Sequence, residues 1–374
     1  MRYKTFQDLQ LSALGMGCMR LPLKGGNSEI DEEQTARMAA YAMAHGINYF
    51  DTAWGYHGGN SESVMGKILS AYPRDVYHLA SKFPGYDLAN MPKVQEIFAR
   101  QLERCQSEYF DFYLFHNVCE LNIDAYLNEE YGILDHLLKQ KEAGRIRHLG
   151  FSAHGSIPVM ERFLNAYGEH MEFCQIQLNY LDWSLQDAKG KVELLNARHI
   201  PIWVMEPLRG GKLCTLDEEA MSELQKLRPQ ESMSGWAFRF LQSIPGVTMI
   251  LSGMSDMQQL QENIETFADE QPLNEDEMKT LTGIGRRMST SVPCTACRYC
   301  IEHCPRSLDI PELIRLYNDM VYSDGSFSAR NAVNALPADK QPSACIGCGH
   351  CQALCPQQIH IPDIMRDLTR RISE

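Results

Sequence analysis

No run of the sequence is apolar for the ~18 residues that a membrane-spanning helix needs. The first thirty residues also lack the charged segment followed by an apolar one that marks an export signal. Basic residues are short: 35 Lys and Arg stand against 48 Asp and Glu, for a formal charge of −13, and no basic arm occurs. A nucleic-acid binder would normally carry a basic face, so neither nucleic acid nor membrane is expected as a partner. Low-complexity tracts are missing too. The expectation is a soluble, cytoplasmic protein whose 374 residues, 44% of them hydrophobic, can bury one large core and a smaller one.

Cysteine, by contrast, is plentiful, and its distribution is uneven. Cys18, Cys105, Cys119, Cys174 and Cys214 are scattered through apolar or helical surroundings, where free cysteine packs as a small hydrophobe. The other eight form the pattern CxxCxxCxxxCP twice: Cys294, Cys297, Cys300 and Cys304, then Cys345, Cys348, Cys351 and Cys355. Two-residue gaps let one loop wrap three corners of a cubane iron-sulfur cluster, and the fourth cysteine usually reaches the other cluster. One 4Fe-4S cluster is therefore expected on Cys294, Cys297, Cys300 and Cys355, and a second on Cys345, Cys348, Cys351 and Cys304. Structural zinc would explain neither the third cysteine nor the trailing proline. Thiolate-held clusters and reduced thiols imply a reducing compartment.

Up to about residue 270, short β-branched or aromatic runs alternate with amphipathic stretches, the signature of βα units. Eight strands are expected: Ala13–Met19, Ile47–Asp51, Val76–Ser81, Phe110–His116, Ile146–Ser152, Phe173–Asn179, Ile202–Glu206 and Thr248–Ser252. A helix is expected after each, and Gly46 and Gly144 sit where helices should end. Eight such units make a (β/α)8 barrel. An open doubly wound sheet would want GxGxxG after the first strand, and Gly15, Gly17 and Arg20 do not supply it. The division expected is a barrel over 1–285 and a small, mainly helical iron-sulfur domain over 286–374, with helices at Ile310–Met320 and Ala329–Leu336 between the two cysteine runs.

Working residues of such a barrel project from the C-terminal ends of its strands. Asp51 ends the second strand, Tyr56 follows in the same loop, Lys82 ends the third and His116 the fourth. A buried Lys–Asp pair beside a tyrosine is expected to lower the phenol's pKa, and a neighbouring histidine to orient a substrate oxygen.

Several segments resemble the aldo/keto reductases: LSALGMGCMRLP, INYFDTAWGYHGGNSESVMGK, ASK, DFYLFHN, IRHLGFS, QIQLNY, EPLRGGKL and QLQEN. They span the barrel, and with the cysteine runs the chain is similar to the branch that carries a C-terminal ferredoxin domain, here of the α-helical ferredoxin type. The resemblance implies Tyr56 as general acid, Lys82 and Asp51 as its tuning pair and His116 as carbonyl orienter. It implies Ser152 and Gln177 against a nicotinamide carboxamide. Gly210, Gly211 and Lys212 after the seventh strand, with Ser252 and Gly253 after the eighth and Asn263 in the last barrel helix, would cradle the dinucleotide. Met205 stands where the family usually stacks an aromatic ring on the nicotinamide. Gly253, Met254 and Gln259 occupy positions that usually clamp a 2′-phosphate, so both NADPH and NADH are retained as cofactors.

A nicotinamide gives up two electrons at once and each cluster accepts one, so a flavin such as FMN, held by the phosphate loops, is a third cofactor to consider. The leading expectation is reversible reduction of a small-molecule carbonyl to an alcohol by hydride transfer. The alternatives are a single-electron reductase fed through the clusters by a redox partner protein, and a non-catalytic electron carrier or redox sensor.

Overall fold

The structure is a computed structural model that describes residues 1–25, 29–289, 292, 294, 298–323, 325–355 and 357–374. Eight parallel strands close into a barrel: Leu14–Gly17, Tyr49–Asp51, His78–Phe83, Phe110–Val118, Ile146–Ala153, Cys174–Gln177, Ile202–Met205 and Val247–Gly253. They pair in chain order, and Ile250 to Gly253 of the eighth strand meet Leu14 to Gly17 of the first. All eight fall on the expected runs, because strands buried on both faces read as continuous apolar segments. Gly46 and Gly144 take φ of +93° and +72° after their helices, a backbone region that side chains with a Cβ resist.

Two apolar layers hold the barrel. One lies between sheet and helices, and includes Phe50, Phe110, Leu149, Phe163, Ile202 and Trp236. The other fills the lumen, where Tyr49, Phe112, Phe173, Trp203 and Met249 pack together. The floor was not expected from the sequence: Tyr3–Phe6 and Leu9–Ser12 form a hairpin that sends Phe6 into the lumen, 5.0 Å from the Trp203 ring and 5.7 Å from Phe112. Short strands and a tight turn left little pattern to read there. The plugged lower end leaves the mouth at the strands' C-terminal ends as the place for chemistry.

Helix Glu275–Met288 spans the expected domain division and adds Leu281 and Ile284 to the barrel's core. Beyond it the C-terminal module contains helices Ile310–Ser323, Phe327–Asn334 and Ile361–Ser373, the last not anticipated. These helices share a separate small core. Among the described residues no helix is long and apolar enough to cross a membrane.

Candidate active site

The barrel closure brings Asp51, Tyr56, Lys82 and His116 to one mouth. Lys82 is fully buried, and its ammonium donates to Asp51 Oδ1 at 2.6 Å, to the Thr52 carbonyl at 2.9 Å and to the Tyr56 hydroxyl at 3.4 Å. The Tyr56 ring stands edge-on to the His116 imidazole at 6.1 Å between centroids. Tyr86, which sequence reasoning passed over, flanks the same imidazole at 5.3 Å. Tyr126 donates to the His116 carbonyl at 2.6 Å and fixes the backbone below it. The buried Nδ1 of His116 and Oδ2 of Asp51 have no hydrogen-bond partner among the described residues.

Burial disfavours charge on every member of this group. It pushes the Asp51 carboxyl up, against the pull of Lys82, while pairing with Asp51 holds Lys82 above its ordinary value despite burial. For Tyr56 the outcome differs from the sequence expectation. Burial raises the phenol, Lys82 lowers it, Asp51 raises it again, and the sum lies above the usual tyrosine value. The phenol therefore keeps its proton at neutral pH. His116 is driven well below the ordinary histidine range by burial and by Lys82, so its ring is neutral. Cys18 lies behind Asp51, and burial keeps its thiol protonated.

Around the mouth lie the residues expected to hold a dinucleotide. Ser152 is buried, and its Oγ accepts from the Asn117 backbone at 2.8 Å, leaving its own proton to donate. Gln177 closes the sixth strand and donates through Nε2 to Asp182 at 2.9 Å. Met205 closes the seventh strand. Gly210 and Gly211 adopt φ of +67° and +91° in the loop that follows, and nothing lies within 4 Å of where a Gly211 Cβ would stand. Such bare left-handed backbone suits close approach by a phosphate. Buried Ser252 accepts from Asn263 at 3.2 Å, and exposed Gly253 follows it. Lys212, from the same loop, reaches toward the C-terminal module. Its ammonium donates to the Tyr322 carbonyl at 2.9 Å, in the last turn of helix Ile310–Ser323, where carbonyls lack intrahelical partners. Arg20 lies beside the same loops: its side chain is within contact of Cβ positions at both Gly210 and Gly253, and its guanidinium is 3.5 Å from Glu206.

In the module, Cys304, Cys345, Cys348 and Cys351 line one pocket that is partly open to solvent. This is the crossed set expected for one cluster. Cys300 and Cys351 are buried, Cys294, Cys304, Cys345 and Cys355 pack against the same small core, and Cys348 is exposed. Cys297 falls outside the described residues. Among the described residues no group of three acidic, histidine or cysteine side chains is closed up as a metal site. Four thiols on the lining of one pocket are the donor set that a cubane requires. Of the scattered cysteines, four are buried as expected, and Cys214 is exposed.

Two further residues were missed. Asp182 and Arg209 are buried between the sixth- and seventh-strand loops and the Ile310–Ser323 helix. A buried charge at the first residue of a short helical turn carries no periodicity, so no sequence pattern marks either residue.

Residues 13–286 match the family model described as "Aldo/keto reductase family", and residues 293–360 match the model described as "4Fe-4S dicluster domain". An uncharacterized oxidoreductase of Bacillus subtilis, YqkF, is 26% identical over 309 residues, 73% of this chain and 92% of the relative. The aldo-keto reductase AKR11C1 from Bacillus halodurans superposes with a TM-score of 0.61 at 22% identity, over 76% of this chain and 96% of that one. An aldo-keto reductase from Klebsiella pneumoniae in complex with NADPH does so with a TM-score of 0.60 at 19% identity, over 76% and 95%. With the barrel closed as the strand pattern required and its model matched over nearly all of that length, the chain belongs to the aldo/keto reductase family and is an oxidoreductase that carries a C-terminal 4Fe-4S dicluster domain.

Proposed function

We propose that the barrel reduces a small-molecule carbonyl to the alcohol, reversibly, with Tyr56 as general acid and a nicotinamide dinucleotide as reductant. The observation that carries this reading is the Lys82 ammonium, paired with Asp51 and within 3.4 Å of the Tyr56 hydroxyl. When bound, the nicotinamide supplies a hydride, and the chain's residues do the rest. Tyr56, protonated at neutral pH, gives its proton to the carbonyl oxygen, and Lys82 stabilises the phenolate that remains. Neutral His116, whose ring stands edge-on to Tyr56, is placed to orient that oxygen. Two electrons and one proton arrive with the hydride and one proton comes from Tyr56, which balances the conversion of carbonyl to alcohol.

The donor set fits a dinucleotide. Gln177, with its amide nitrogen committed to Asp182, offers its oxygen to the carboxamide N–H, and the Ser152 hydroxyl can donate to the carboxamide oxygen. Gly210, Gly211 and Gly253 offer open backbone to a diphosphate, with Arg20 as its counter-charge. Met254 is buried, and Gln259 is engaged with Ser255 and Asp256. The reading therefore covers NADPH and NADH alike, and no observation favours FMN. The 4Fe-4S clusters belong to the module, on the two crossed cysteine sets.

The test is Tyr56→Phe. Loss of the general acid is expected to lower kcat for carbonyl reduction about 10³-fold, within the usual contribution of such a group, while cofactor affinity and cluster absorption stay unchanged. A variant within a few-fold of the parent would remove Tyr56 from the reaction.

A further inference from the structure

The iron-sulfur module sits on the barrel's mouth through charged groups that are out of water. Arg209 follows the seventh strand at φ +48° and is buried. Its Nε and Nη2 each lie 3.2 Å from Asp182, and Nη2 also donates to Asp319 in the Ile310–Ser323 helix. Asp319 is held by Gln186 and Ser326, each donating at 2.9 Å, and the Arg209 guanidinium lies over the Tyr322 ring. On the barrel side Asp182 Oδ2 accepts from Asn179 at 2.6 Å and from Gln177 at 2.9 Å. A continuous chain thus runs from the iron-sulfur module through Asp319, Arg209 and Asp182 to Gln177.

We propose that Arg209 is a positioning residue: it keeps Asp182 as an acceptor for the Gln177 amide, takes its own orientation from Asp319, and so makes the nicotinamide end of the cofactor site complete only with the iron-sulfur module docked. The proposal rests on the reading above that Gln177 meets the carboxamide.

The physical reason lies in the donor count. An ionised carboxylate only accepts, so Asp182 fixes which end of the Gln177 amide faces it and leaves the amide oxygen for a ligand N–H. Burial favours the neutral form of Asp182, and the Arg209 guanidinium opposes that. Without Arg209 the carboxyl would take a proton, could donate to the Gln177 oxygen, and would no longer hold the amide in one orientation. Arg209 is itself costly to bury with one carboxylate alone, and Asp319 gives its forked head a second. The module is therefore part of the cofactor site's scaffold, whatever its clusters exchange.

The experiment uses the full-length holoprotein. Fluorescence titrations measure the Kd of NADPH and NADH, and of ADP-ribose and 2′,5′-ADP, which lack the nicotinamide. Arg209→Met is expected to raise the dinucleotide Kd about tenfold or more, the loss of one charge-assisted contact. The fragment Kd should move less than about twofold, with iron content per chain unchanged. Gln177→Leu should show the same nicotinamide-specific loss, and the double variant should be no worse than Gln177→Leu alone. An unchanged dinucleotide Kd in Arg209→Met, or an equal loss for dinucleotide and fragments, overturns the relay and leaves the proposed function standing. A parent protein that binds neither dinucleotide overturns both. If Arg209→Met yields no folded protein, Asp319→Asn takes its place in the cycle with Gln177→Leu, and additive losses there overturn the relay.

Discussion

The barrel and the iron-sulfur module reach a defined structure by different means. The barrel's core is built from aliphatic and aromatic side chains on both faces of a closed sheet, and its polar site is held by backbone and buried pairs. In the module the core is small, and Cys300 and Cys351 are among its buried members. There the thiols expected to bind the clusters are part of the packing. Charge divides the same way: residues 1–285 hold 25 basic against 39 acidic residues, and 286–374 hold ten against nine. The contrast teaches that the barrel's site is organised by apolar burial, whereas the module's fold is coupled to what its thiols bind, since metal-binding free energy becomes folding free energy in small metal domains.

The sharpest way to break this contrast is to remove one ligand. Parent protein purified without oxygen should contain about eight iron and eight acid-labile sulfide per chain. Cys351→Ser should lose about half of both and expose the module to protease. All four tryptophans (Trp54, Trp183, Trp203 and Trp236) lie in the barrel, so fluorescence reports that part alone. Its unfolding transition should stay cooperative in Cys351→Ser. Loss of that transition would mean that the two parts fold as one unit.

A smaller effect, confined to the barrel, is expected of Lys82→Met. It leaves Asp51 buried without its counter-charge, which should cost about 3–5 kcal/mol in denaturant unfolding, and activity should fall with it. Unchanged iron content would confirm that the damage stops at the barrel. A stability loss under about 1 kcal/mol would show that Asp51 is not held as a charge.

The smallest difference is in acid. His116 and His154 are pushed down in the folded barrel, His154 to about 3, chiefly by burial. The module's His303, His350 and His360 are exposed. A histidine whose folded pKa is depressed stabilises fully above its unfolded value of about 6.5, and that contribution is lost as pH falls toward the folded one. The tryptophan-detected unfolding free energy should drop by on the order of 1–2 kcal/mol per such histidine between pH 7 and 5. His154→Gln should make the fall shallower, and an unaltered slope would exclude His154 as a source.

Much of this was legible in the chain. The eight strands follow from apolar runs that a doubly buried sheet requires, and Asp51, Tyr56, Lys82 and His116 stand at strand ends because a barrel gathers those ends. Cysteine spacing, a local property, marked the 4Fe-4S dicluster domain. The floor hairpin was too short to leave a pattern, and the Tyr56 phenol's direction of shift depended on burial weighed against Lys82, which no spacing encodes. No spacing announced that Lys212 donates to the terminal carbonyl of a module helix, or that Arg20, distant in sequence, lies against Gly210 and Gly253. The amino-acid sequence by itself determined the barrel, the cysteine spacing and which polar residues end the barrel's strands, because periodicity and local spacing are written along one dimension. Only the tertiary structure decided that Asp319 of the module closes on Arg209 and Asp182 of the barrel, because pairing of buried charges depends on which loops the closed sheet brings face to face.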